Sequence, residues 1–236
     1  MAENTGQAPK LTGAFELFNV SSKLVQNNLS TFAIVYLLPF LTSLAIGVRN
    51  LDSNRPEDFS SISNTFSGVS GFGVGAFIGF GALLAIVVFV VWLVVNALKY
   101  GLLIESSKNK KPQLDNLWPY ARKYWLRLFG LAILVALFVI AGLILFIIPG
   151  LIMIRRYFLA PYVLVDKDVG IWEAMSKSAA MSKPYSGYIW SVIGVGILIG
   201  LPSIIPFFGW AVSFVLSILY SVAPALRYQE LKKLEA

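Results

Sequence analysis

Between residues 76 and 98 the chain carries no charged side chain. A helix of about 20 apolar residues, rising 1.5 Å per residue, crosses a hydrocarbon core of about 30 Å, so this run is long enough to traverse a bilayer. Residues 29–48, 128–148, 187–205 and 207–226 are comparably apolar. Only 13% of the 236 residues are charged and 57% are hydrophobic, whereas ordinary soluble domains carry about 25% charge. A chain of this size cannot hide so much apolar surface from water. The expected architecture is all-α, a polytopic transmembrane helical bundle of about six spans with amphipathic surface helices.

Those spans are expected near residues 29–48, 74–98, 128–148, 151–165, 187–205 and 207–226, within a bundle covering residues 29–228. Residues 1–28 form the N-terminal segment, in which residues 12–28 place Ala14, Leu17, Phe18, Leu24 and Val25 at helical spacing between Glu16, Lys23 and Gln26. This is the pattern of an amphipathic helix, either lying on the membrane or tucked against the bundle. Residues 49–70 are polar and slightly acidic and read as an external loop. Residues 229–236 read as a tail.

The net charge is +7, and its distribution excludes nucleic acid as the partner. Basic residues flank apolar spans, as the positive-inside rule requires, and do not form a face interleaved with aromatics. From Lys99 to Arg127 there are seven basic residues and two acids, with Trp118, Tyr120, Tyr124 and Trp125 as interfacial aromatics. That stretch is the cytoplasmic loop. With six spans, both termini then lie in the cytoplasm.

Reactive chemistry is scarce. The chain has no cysteine and no histidine, which removes thiolate nucleophiles, Cys-based metal sites, Ser-His catalysis and imidazole relays. No cofactor or metal site is expected, and the reading is non-enzymatic. Gly71-Phe72-Gly73 is no dinucleotide fingerprint, because no strand precedes it. Gly71, Gly75 and Gly79 instead recur at every fourth position, a flat stripe for close helix packing. Asn96 is a polar candidate for interhelical glue. Gly170 followed by Glu173 suggests a helix N-terminus over residues 170–183, with Ile171, Trp172, Met175 and Ala179 on one side.

The costly feature is Arg155-Arg156, two charges in an apolar segment. A central arginine costs roughly 2.5–3.5 kcal/mol on translocon scales, so the pair must meet protein, water or a headgroup. Guanidinium suits bidentate pairing with phosphate or carboxylate. Anionic lipid headgroups are one partner; Asp166, Asp168 or Glu173 acting as an internal brace is the other. Helix-breaking Pro149-Gly150 ends the third span in a hairpin, and Pro202 and Pro206 mark a second, with Ile-Ile-Pro at both tips. Such broken helices also line the cavities of small transporters or permeases, the alternative function.

Pro149-Gly150, Arg155, Pro161, Asp166, and then Ala174 and Ser178 on the following helix, resemble the YciC-like prokaryotic integral-membrane families. These are similar to the membrane domain attached to some glycerophosphoryl diester phosphodiesterases. The resemblance covers residues 147–185 and implies a six-helix bundle in a prokaryotic cytoplasmic membrane. It implies no hydrolase, since that activity resides in a separate barrel domain for which this chain has no room. Membrane lipids and other membrane proteins are the expected partners; the oligomeric state is open.

Overall fold

The computed structural model describes residues 11–37, 40–41, 71–108, 110–205 and 209–235. Among these there is no strand. The helices are α1 (Ala14–Asn27), α2 (residues 29–37), α3 (Gly71–Ser107), α4 (Leu114–Leu145), α5 (Ile147–Tyr157), α6 (Ala160–Lys167), α7 (Ile171–Ser182), α8 (Ser186–Gly200), α9 (Gly209–Tyr220) and α10 (Ala223–Glu235). A 3₁₀ turn, Leu201–Ile204, follows α8.

Five stretches of the described residues are long and apolar enough to cross a membrane: Phe89–Ser107, Asp115–Leu145, Ile147–Lys167, Ser186–Ile204 and Ala211–Leu234. The protein is an all-helical membrane protein. The expected sixth span, residues 29–48, is helical over 29–37, and most of its remainder lies outside the described residues. So do the expected external loop at 49–70 and Pro206. The short 151–165 segment falls within one of these stretches, the 21 residues Ile147–Lys167, which are built from the two consecutive helices α5 and α6.

The bundle has two unlike ends, and α4 shows why. In its first half Leu117, Ala121, Tyr124, Leu128 and Leu131 are buried, spaced four, three, four and three apart, the seam of an amphipathic helix. Beyond Leu131 the sequence is apolar all round and no such seam persists. Ile144 to Ile148 are each at least 70% exposed. A contiguous apolar surface of this kind is unstable in water and costs nothing in lipid. At the other end, α6 buries Ala160 and Tyr162–Val165, and α10 buries Ala225, Tyr228 and Leu231 in the same core.

Two sequence expectations change here. The terminal tail is part of helix α10, and Leu231 is 1% exposed; its apolar positions complete the core. The aromatics of the basic segment mostly face inward: Tyr124 is buried and Tyr120 half-buried, while Trp118 stays exposed. Most of that segment is helix: a short turn between Ser107 and Leu114 joins α3 to α4, Lys99 sits on α3, and Arg122, Lys123 and Arg127 sit on α4. Of the two alternatives for α1, the structure takes the second: it packs against α8, α9 and α10, burying Ala14, Leu17, Ser21 and Val25. The Ser21 hydroxyl donates to the Leu219 carbonyl at 2.5 Å and accepts from the Val222 N–H, capping the α9–α10 junction.

The Pro149-Gly150 hairpin is set by close backbone approach. A Cβ placed on Gly142 would stand 2.9 Å from the Gly150 Cα, and one placed on Gly150 would stand 2.9 Å from the Leu143 nitrogen. Only glycine fits at such contacts. The second hairpin uses the same device, since a Cβ on Gly209 would overlap the Pro202 carbonyl oxygen.

Candidate functional site

The three carboxylates weighed as partners for the arginines are all committed elsewhere. Asp166 lies at the end of α6 with its side chain 1% exposed. It accepts from Lys108 Nζ at 2.7 Å, Lys232 Nζ at 2.6 Å and the Tyr228 hydroxyl at 2.8 Å. One carboxylate thus ties α6 to α10 and to the end of α3. Asp168 has a left-handed backbone (φ 50°) that ends α6, a conformation aspartate tolerates better than most residues. Its carboxylate reaches α4, meeting Lys123 at 2.5 Å and Arg127 at 3.2 Å. The hydrogen bond from Lys123 holds it below the usual carboxylate range, helped by Tyr124 and by the Arg127 charge. Glu173 pairs with Lys177 one turn along α7, at 2.6 Å. The internal brace expected for Arg155 and Arg156 is therefore absent among the described residues.

What meets the arginines is helix α7, through their backbone. The Ser178 hydroxyl donates to the Arg156 carbonyl at 2.8 Å, and the Ser182 hydroxyl lies 3.5 Å from the same oxygen. Helix α5 ends here, where carbonyls lose their intrahelical donors. The buried face of α7 is accordingly Ala174, Met175, Ser178, Met181 and Ser182, rotated from the apolar face expected from sequence. Trp172, expected inward, is 66% exposed. Small residues win this face because they allow α7 to approach α5 and to satisfy its carbonyl.

This approach opens a groove of about 420 Å³ with Arg156 and Lys183 at its edges and Tyr157, Trp172 and Ser176 along it. None of the described residues lining it is acidic. Arg155 is half-buried, and its Nε is buried without a hydrogen-bond partner among the described residues. Neither arginine forms an ion pair among them. Two cations, a hydroxyl and an indole facing one groove are suited to an oxyanion beside an apolar chain.

The other singled-out residues do not join this site. Pro149 and Gly150 lie in the first turn of α5, and Pro202 lies in the 3₁₀ turn. Gly71, Gly75 and Gly79 lie on the first turns of α3, and what surrounds them is outside the described residues. Asn96 bonds within its own helix, to the Trp92 carbonyl at 2.8 Å. Asp166 makes none of its bonds to the arginines. Sequence reasoning missed Lys183 and Ser176 as groove residues. The signal was faint, a lysine before Pro184 at the end of an amphipathic helix. Among the described residues no group of three His, Cys, Asp or Glu is placed to hold a metal ion. Comparison of the chain with protein-family models, with curated proteins and with solved structures finds no match.

Proposed function

We propose that this protein is a non-enzymatic integral membrane protein that holds anionic lipid headgroups at the α5–α7 groove. The observation that carries the reading is Arg156, without a carboxylate partner among the described residues, lining a groove that also presents Lys183 and no described acid, with the equally unpaired Arg155 next to it in the chain. A lipid phosphate supplies the missing counter-charge, and Trp172 and Tyr157 flank its glycerol and upper chain. We place the protein in a prokaryotic cytoplasmic membrane with both termini cytoplasmic. The likeness to the YciC-like families, carried by Pro149-Gly150, Arg155, Pro161, Asp166, Ala174 and Ser178, belongs to this proposal. In it the arginine is a lipid contact and Ser178 the residue that seats α7.

The test is native mass spectrometry of protein released from mild detergent after exposure to phosphatidylglycerol. Each basic contact near anionic lipid contributes about 1 kcal/mol, so Arg155→Gln/Arg156→Gln loses about 2 kcal/mol, roughly thirtyfold in affinity. Retention of the acidic lipid falls by that order, while zwitterionic lipid is unaffected. Equal retention by wild type and the folded double variant overturns the reading and directs attention to protein partners.

A further inference from the structure

A cavity of about 400 Å³ lies among α2, α3, α6, α8 and the α9–α10 junction. Into it face Lys99, four tyrosines (Tyr36, Tyr100, Tyr162 and Tyr220) and two serines, Ser217 and Ser221. None of the described residues lining it is acidic. Lys99 makes no ion pair or hydrogen bond among the described residues; its ammonium stands 5.2 Å over the Tyr36 ring. Tyr36 is 5% exposed and its hydroxyl is buried, with no partner at full hydrogen-bond geometry among those residues. The Ser221 hydroxyl, which donates to the Ile218 carbonyl at 2.6 Å, is the neutral oxygen beside it. An ammonium and a hydroxyl donor thus line one recess with nothing anionic to receive them, an expensive arrangement unless a ligand completes it.

The cavity does not end there. A second space of about 310 Å³ shares Gly196, Ile199 and Ser217 with it and continues along Gly200, Ser203 and Ser213. This is a slot between α8 and α9 floored by small residues. The larger cavity is lined, next to Gly196, by Ile197, which is 61% exposed. From Gly196 to Ser203 the slot follows seven helical steps, about 10 Å. Both spaces lie within the roughly 300–1,000 Å³ of small-molecule sites.

We infer that the Lys99–Tyr36 cavity with its α8–α9 slot binds an anionic amphiphile, an oxyanion on a single acyl chain. The head, a carboxylate or a phosphate, accepts from the Lys99 ammonium and the Tyr36 hydroxyl. The chain lies over Gly196 and Gly200 and enters from lipid past Ile197. The site shares no residue with the Arg156 groove, so each stands or falls separately.

The purified protein is titrated with oleate, lysophosphatidate, neutral monooleoylglycerol and inorganic phosphate, with binding read by displacement of a fluorescent fatty acid and by native mass spectrometry. Wild type binds the two anionic amphiphiles at least tenfold more tightly than the neutral one, and their ratio identifies the preferred head. Lys99→Met removes that preference, whereas Lys99→Arg keeps it. Gly196→Leu and Gly200→Leu, at glycines where an added Cβ meets nothing within 4 Å, fill the slot and weaken both anionic amphiphiles at least tenfold in variants that retain the wild-type circular dichroism spectrum. Undiminished oleate and lysophosphatidate binding in folded Lys99→Met overturns the inference. So does inorganic phosphate binding as tightly as either amphiphile, or no binding of either amphiphile to wild type. Arg155→Gln/Arg156→Gln leaves these titrations unchanged, which separates this site from the headgroup groove.

Discussion

At the residue scale, charge in this protein is either fully partnered or left conspicuously open. Asp166 is the fully partnered case: three donors within 2.8 Å offset the cost of burying a carboxylate. Removing one member of a buried ion pair costs about 3–5 kcal/mol, and Asp166→Ala is expected at on the order of 2–4 because its lysines still reach water. Denaturant unfolding in detergent, followed by circular dichroism, measures this. A loss under about 1 kcal/mol would show that the Asp166 cluster contributes little. Asp168 is the exposed counterpart. Because its carboxyl is held below its ordinary value, its contribution is complete at neutral pH and fades only as pH falls through that lowered value. Arg155, Arg156 and Lys99 are the open cases, and the two binding proposals rest on them.

At the element scale, the hairpins are decided by glycines where helices touch. A side chain at Gly142 must displace backbone at Gly150, 2.9 Å away, which overpacking data put at about 1–3 kcal/mol or more. Gly194 sits mid-helix in α8 with nothing within 4 Å of an added Cβ; alanine there gains roughly 0.5–1 kcal/mol of helix stability. Gly142→Val is therefore expected to lower the unfolding temperature and Gly194→Ala to hold or raise it. The opposite order would mean that the α4–α5 contact is not what holds the hairpin. Helix α7 obeys the same geometry by another route, using Ala174, Ser178 and Ser182 to approach α5.

At the scale of the whole molecule, equal exposure means different things at the two ends. Leu137 is 57% exposed in the second half of α4, and Leu234 is 39% exposed beside Lys232 and Lys233. A lysine at Leu137 must enter hydrocarbon, at roughly 2.5–3.5 kcal/mol, whereas a surface change at Leu234 stays within about 0.5 kcal/mol. Membrane-fraction yield and unfolding temperature are expected to drop for Leu137→Lys and to hold for Leu234→Lys. Similar losses in both would erase the distinction between the ends. The apolar end therefore behaves as a lipid-solvated bundle, and the charged end as an ordinary packed core of short helices.

Class and span pattern were legible in the residues because hydropathy is a local property: an uncharged run such as 76–98 has one comfortable solvent whatever surrounds it. The break near Pro149-Gly150 was legible only in part: the chain turns at Phe146, and the proline and glycine lie in the first helical turn that follows, where proline's missing N–H costs nothing. What the arginines face was not legible. Sequence proximity nominated Asp166, Asp168 and Glu173, but an ion pair depends on which helix lies alongside, and packing handed those carboxylates to Lys108 and Lys232, to Lys123 and Arg127, and to Lys177. The rotation of α7, the burial of α10 and the meeting of Lys99 with Tyr36 across α2 and α3 are likewise non-local. They join residues far apart in the chain, and only the tertiary structure decides which of them share a space.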